Sequence, residues 1–147
     1  MTSSKPTFFI VGGAWHPSAC YDLLVSSLRS LDYEAVTVTP PSVGPEDPKS
    51  ASLQLDTQAV QTHLRRIIEC GKDVVVIGHS FGGAVAAGAA FGFSKAARAK
   101  EGLQGGVIGF VAIAAILGTE GEILLPDPPG YMPWVLVNQV SVENLKH

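Results

Sequence analysis

Asp73-Val74-Val75-Val76-Ile77-Gly78-His79-Ser80-Phe81-Gly82-Gly83 joins two different chain geometries at one serine. The run from Asp73 to Ile77 is apolar and β-branched and reads as a buried strand, while the small-residue stretch from Gly83 to Lys100 reads as a helix. Gly-x-Ser-x-Gly, Gly78 to Gly82, falls where the strand turns into the helix. A serine in such an elbow projects its hydroxyl above the sheet edge, and Gly78 and Gly82 leave space where side chains would collide. The pattern also arises by chance in glycine-rich chains, so its weight comes from its surroundings. These are a strand before it, a helix after it and a second glycine pair, Gly12-Gly13, behind another strand. The alternative is a tight strand-to-helix turn with an inert Ser80.

Working outward, three further apolar runs read as strands: Thr7 to Val11, Tyr33 to Val38 and Val107 to Ala114. Their near-continuous apolarity predicts a sheet covered by helices on both faces. Tyr21, Leu24, Leu28 and Leu31 mark an amphipathic helix beginning near Pro17-Ser18. Four prolines make Thr39 to Ser50 a loop. A second helix presents Val60, Leu64, Ile67 and Ile68 on one face and stops at Gly71. In the helix after Ser80, Gly88 and Gly92 each lower helix propensity by roughly 1 kcal/mol relative to Ala. Strands alternating with helices predict an α/β fold, three layers α/β/α around a short parallel sheet of about four strands. The 147 residues form one domain, with 116–147 a loop or lid-like tail rich in Gly and Pro.

Composition narrows the function classes. With 46% hydrophobic and 16% charged residues the chain can fill a core. A net charge of −3 gives no basic footprint, and the Arg65-Arg66 pair reads as a solvated helix face, so nucleic acid is a poor partner. Cys20 and Cys70 lack the spacing of a metal site or a disulfide framework, which fits a reducing, cytoplasmic setting. The N-terminal run is too short for a signal peptide, and Gly105 to Leu117 falls short of the ~20 residues of a membrane span. Gly12-Gly13 is not part of Gly-x-Gly-x-x-Gly, so no nicotinamide is expected; neither is any other cofactor or metal.

A serine hydroxyl needs a base to take its proton and donors to receive an oxyanion. Phe81 N–H follows the serine at a helix start, where N–H groups are unspent. The turn after the first strand, Gly12-Gly13-Ala14-Trp15-His16, is the natural source of a second donor. Phe8 to His16 and Val74 to Gly83 together resemble the α/β-hydrolase superfamily, in particular its small-molecule esterase and hydroxynitrile-lyase-like branch. The resemblance covers Thr7 to Leu117, the first part of such an enzyme. It implies Ser80 as nucleophile and the N–H groups of Ala14 and Phe81 as oxyanion donors. Gly12 stands where many members carry a histidine.

The rest of the triad departs from the family order of serine, acid, histidine. His16, His63 and His79 precede Ser80, and only His147 follows it. The later acids are Glu101, Glu120, Glu122, Asp127 and Glu143. Delivering both partners in the usual way takes two more βα units of roughly 30 residues each, which leads us to expect a fold incomplete at its C-terminus. His16 either contacts substrate or hydrogen-bonds backbone, the second being favoured, and His63 reads as a surface residue. His79 should point away from the serine hydroxyl as a hydrogen-bonding neighbour. Gly13, His16 and Trp134 are candidate pocket residues, with Tyr131 and Met132 beside the last; ordinary apolar cover is the alternative for all three aromatic-segment residues. Val107 to Ala114 should lie at an exposed edge, where a homo-oligomer could form. Three functions remain open: a serine-dependent esterase or thioesterase on a small acyl substrate, as in specialised metabolism; a silent fold that binds a partner; and a lyase using the serine in proton transfer.

Overall fold

Apolar runs without polar alternation have to be covered on both faces, and two helical layers do this for the centre of the sheet. The computed structural model describes residues 5–44 and 51–118. Its elements are β1 (Thr7–Val11), a 3₁₀ turn (Ser18–Tyr21), α1 (Asp22–Ser30), β2 (Glu34–Val38), α2 (Leu53–Glu69), β3 (Asp73–His79), α3 (Gly82–Ala90), α4 (Lys95–Lys100) and β4 (Gly106–Ile113). The strands are all parallel, in the order β2-β1-β3-β4. This is the three-layer α/β architecture that the alternation of elements predicts.

Side-chain alternation along the central strands divides the core in two. Phe9, Val11, Val74 and Val76 pack on Val60, Leu64 and Ile68 of α2 and Val85, Ala86 and Ala89 of α3. On the other face Ile10, Ala35 and Ile77 meet Val25 of α1, with Tyr21, Leu24 and Leu28 at the margin. Leu31, expected on that stripe, is instead 61% exposed. The helix has already ended at Ser30, so the periodicity no longer carries Leu31 inward.

The helix expected from Gly83 to Lys100 is two helices. Gly92 is left-handed (φ +80°) just after α3, and the Ser94 side chain accepts the Ala97 N–H to start α4 anew. Phe93 is thereby turned into the core, and the Arg65 guanidinium lies 5.2 Å from its ring centre. α2 begins and ends as its sequence dictates, with Ser52 accepting the Leu55 N–H and Gly71 left-handed beyond its last turn. Asp56, fully buried on the apolar face of α2, receives the backbone N–H and hydroxyl of Ser42 at 2.8 and 2.5 Å. It ties the proline loop, described as far as residue 44, to the helix.

β4 is covered less than the central strands. Among the described residues it pairs with β3 alone, and Ile108, Phe110, Val111 and Ile113 are between 38% and 49% exposed. Among these residues β4 is the edge strand expected at Val107 to Ala114, and not one covered on both faces. Residues 45–50 and 119–147 lie outside the described residues, and with them all but the first three residues of the 116–147 tail, including the Tyr131, Met132 and Trp134 group. No described helix is long and apolar enough to cross a membrane.

Candidate active site

Parallel pairing sets Val11 beside Gly78, so the two chains leave the same sheet edge together, Gly12-Gly13 from β1 and His79-Ser80 from β3. Ser80 is left-handed, φ +52°. For a residue with a β-carbon such a conformation costs on the order of 1–3 kcal/mol and persists only when its surroundings enforce it. Three backbone bonds enforce it here. Ser80 N–H donates to Ile113 O at 3.1 Å, and Ser80 O accepts from Gly83 and Ile116 at 3.0 and 2.9 Å. Sterics explain the glycines. A β-carbon on residue 82 would collide with the carbonyl oxygens of Gly12 and Val11, and one on residue 78 would come within 2.7 Å of Gly83 Cα. The sharp strand-to-helix turn expected at Gly78 to Gly82 is therefore present, with α3 starting directly behind it.

The turn after β1 closes tightly on the elbow. His16 N–H donates to Gly13 O at 3.1 Å, with Trp15 left-handed at φ +62° between them. The exposed His16 ring donates from Nδ1 to Ala14 O at 2.7 Å, the backbone-bonded alternative of its two readings. Gly13 N–H donates to Tyr21 Oη at 3.0 Å. Among the described residues the N–H groups of Ala14 and Phe81 meet no acceptor, unlike their neighbours at Gly13, His16 and Ser80. Phe81 follows the half-buried Ser80 in the elbow, and Ala14 follows Gly13 in the loop that packs on it.

The His79 ring meets Tyr21, Nδ1 lying 2.8 Å from Oη. It also stacks edge-on with His16 at 5.2 Å between centres. Burial, and then the charge of His16, hold the His79 pKa below the ordinary imidazole value, so the ring is neutral near pH 7. Burial pushes the Tyr21 phenol up, against the opposing bond from Gly13, and it stays protonated. Tyr21 Oη receives the Gly13 N–H, so its own proton can go to Nδ1 of a neutral His79 carrying hydrogen at Nε2.

Tyr21 lies at the margin of the apolar stripe as its spacing predicts, but its hydroxyl has a role that the spacing does not show. Tyr21 precedes α1 and lies nine residues after Gly12 in sequence, at the sheet edge from which the glycine turn emerges. A tyrosine at a helix entry behind a glycine turn was the available signal. His63 is exposed on α2, as expected. Among the described residues no histidine or carboxylate hydrogen-bonds Ser80 Oγ, and no cluster of three metal-binding side chains occurs. The candidate triad partners Glu120, Glu122, Asp127, Glu143 and His147 lie outside the described residues.

The model of the alpha/beta hydrolase family matches residues 8–142. The chain belongs to the α/β-hydrolase family. An α/β hydrolase of Aspergillus novofumigatus, nvfD, is 34% identical over 120 residues, covering 82% of this chain and 47% of that protein. A carbendazim-hydrolysing esterase of a Nocardioides species is 34% identical over 88 residues, 56% of this chain and 35% of the esterase. The chain thus spans less than half the length of these two curated relatives. Among solved structures an extracellular α/β-hydrolase from a Paenibacillus species superposes with a TM-score of 0.57 at 21% identity, over 78% of this chain and 42% of that one. That likeness concerns the fold alone.

Proposed function

We propose that this chain carries the nucleophile half of a serine-dependent hydrolase of the esterase or thioesterase type. Ser80 Oγ attacks the carbonyl carbon of a small acyl substrate, and the Ala14 and Phe81 N–H groups receive the oxyanion. The observation that carries this reading is the enforced left-handed Ser80, in an elbow and against a loop whose Phe81 and Ala14 N–H groups have no described acceptor. Donors fixed in advance stabilise developing charge without reorganising, and removing one such donor costs about 10²–10³ in rate elsewhere. The name of the Nocardioides relative supports the ester class. A histidine and an acid complete the mechanism: the histidine takes the Ser80 proton as Oγ bonds carbon, then returns it to the leaving group.

A fluorophosphonate probe tests the reading. Ser80 should be labelled in the folded chain faster than in a denatured control, and Ser80→Ala should abolish labelling. Equal labelling of folded and denatured chain would sink it. A second reading, a silent fold that binds its ligand at the same seam, is favoured by the unpartnered Ser80 Oγ among the described residues. Without a base, oxyanion stabilisation and binding alone leave about 10³–10⁴ over water in protease precedents. Ligand binding that survives Ser80→Ala, with no labelling of the parent chain, would select the silent reading.

A further inference from the structure

Gly13 stands close against the elbow: a β-carbon there would lie 3.0 Å from Ser80 Cβ and 3.2 Å from His79 Nδ1, tighter than side chains ordinarily pack. The loop that holds Ala14 is therefore pressed onto the elbow, and something must fix the spacing. Van der Waals contact limits approach but does not prevent the loop from lifting. Only one side chain among the described residues bonds to both partners. Tyr21 Oη takes the Gly13 N–H at 3.0 Å and meets His79 Nδ1 at 2.8 Å, so a single oxygen spans the seam one residue away from Ser80 and one from Ala14.

We propose that the Tyr21 hydroxyl is a strut that sets the gap between the oxyanion loop and the nucleophile, making Tyr21 and His79 positioning residues for Ser80. This rests on the reading of Ser80 as nucleophile. The strut has a direction. The Gly13 N–H can only donate, so Oη must accept there and can satisfy His79 by donating its one proton to Nδ1. The arrangement needs an acceptor at the Nδ1 position, and a neutral imidazole supplies one. His79 faces Tyr21 and His16, and it joins no ion pair among the described residues. Loss of the acceptor would leave the tyrosine proton without a partner and the loop held by a single bond. A misplacement of about 1 Å at a reacting centre can cost on the order of 10²-fold.

Tyr21→Phe keeps the ring and removes Oη. The second-order rate of fluorophosphonate labelling at Ser80 should fall by about 10- to 100-fold, with the urea midpoint moving far less than that loss would require if unfolding caused it. His79→Asn offers Oδ1 close to the former Nδ1 and should restore most of the rate, whereas His79→Leu should match Tyr21→Phe. The double variant Tyr21→Phe with His79→Leu should be no slower than either single one, because both cut the same strut. Unchanged labelling in Tyr21→Phe, or additive losses in the double variant, would overturn the strut while leaving Ser80 as nucleophile. If the parent chain is not labelled, the nucleophile reading fails, and nuclear magnetic resonance titration of His79 decides the strut. Tyr21→Phe must then raise the His79 pKa, since the neutral ring has lost its donor; an unmoved pKa overturns the strut as well.

Discussion

β3 and β4 are neighbours in one sheet, and each ends in a left-handed residue that is not glycine, Ser80 at φ +52° and Ala114 at φ +43°. Their surroundings differ. β3 lies between β1 and β4 with Val74 and Val76 fully buried, while among the described residues β4 is paired on one side only and leaves Ile108 and Phe110 partly exposed. Each buried valine or isoleucine contributes about 1.5–3 kcal/mol, enough in β1 and β3 to offset the conformational cost of Ser80 several times over. The strained serine thus stands where the sheet is best packed. β4 and the residues just after it contribute differently, by lending Ile113 O and Ile116 N–H to hold the elbow from outside. Burial supplies the stability and the edge strand supplies the geometry.

The sharpest way to break this contrast is to truncate the same residue in both regions. Ile10→Ala, at a fully buried position in β1, should cost about 2–5 kcal/mol in urea denaturation, while Ile108→Ala in β4 should stay within about 0.5 kcal/mol. Equal losses would mean that β4 is buried as deeply as the centre. Gly82→Ala comes next. Its β-carbon meets backbone oxygens that cannot rotate away, so about 1–3 kcal/mol should be lost despite the better helix propensity of alanine, and labelling of Ser80 should slow with it. By contrast Gly92→Ala acts far from the elbow, at a left-handed position, and should lower stability by about 1 kcal/mol without slowing the labelling.

The same contrast explains what was legible in the residues. β1 can be read to the residue, since Pro6 stops the chain before Thr7 and Gly12-Gly13 ends the run. The elbow was legible because its glycines are required by contacts that any such turn must make. The break between α3 and α4 was hidden by the high propensity of the surrounding alanines, although Gly92 and Ser94 both marked it. The edge position of β4 was legible only from the strand order that the family resemblance implies, because an apolar run by itself does not state how many strands flank it. Asp56 was half legible: it falls on the stripe of Val60 and Leu64, yet only the fold shows that Ser42 satisfies its carboxylate. The Tyr21 bridge depends on two segments that are 58 residues apart in sequence, and no local pattern records that meeting.

The smallest expected effect concerns proton binding at the seam and separates the central region from the edge once more. Since His79 binds its proton more weakly folded than unfolded, the unfolded chain takes up more protons as pH falls through the ordinary imidazole range. Its contribution to stability is therefore intact above about pH 6.5 and declines below it, until the folded state also titrates. Protonation also converts Nδ1 from acceptor to donor and sets it against the tyrosine proton, so the labelling rate should fall over the same interval. Comparing urea midpoints at pH 7.5 and 5.5 for the parent chain and His79→Asn checks the sign. The parent should lose more stability than the variant, whereas Ile108→Ala in β4 should leave the difference between the two pH values untouched.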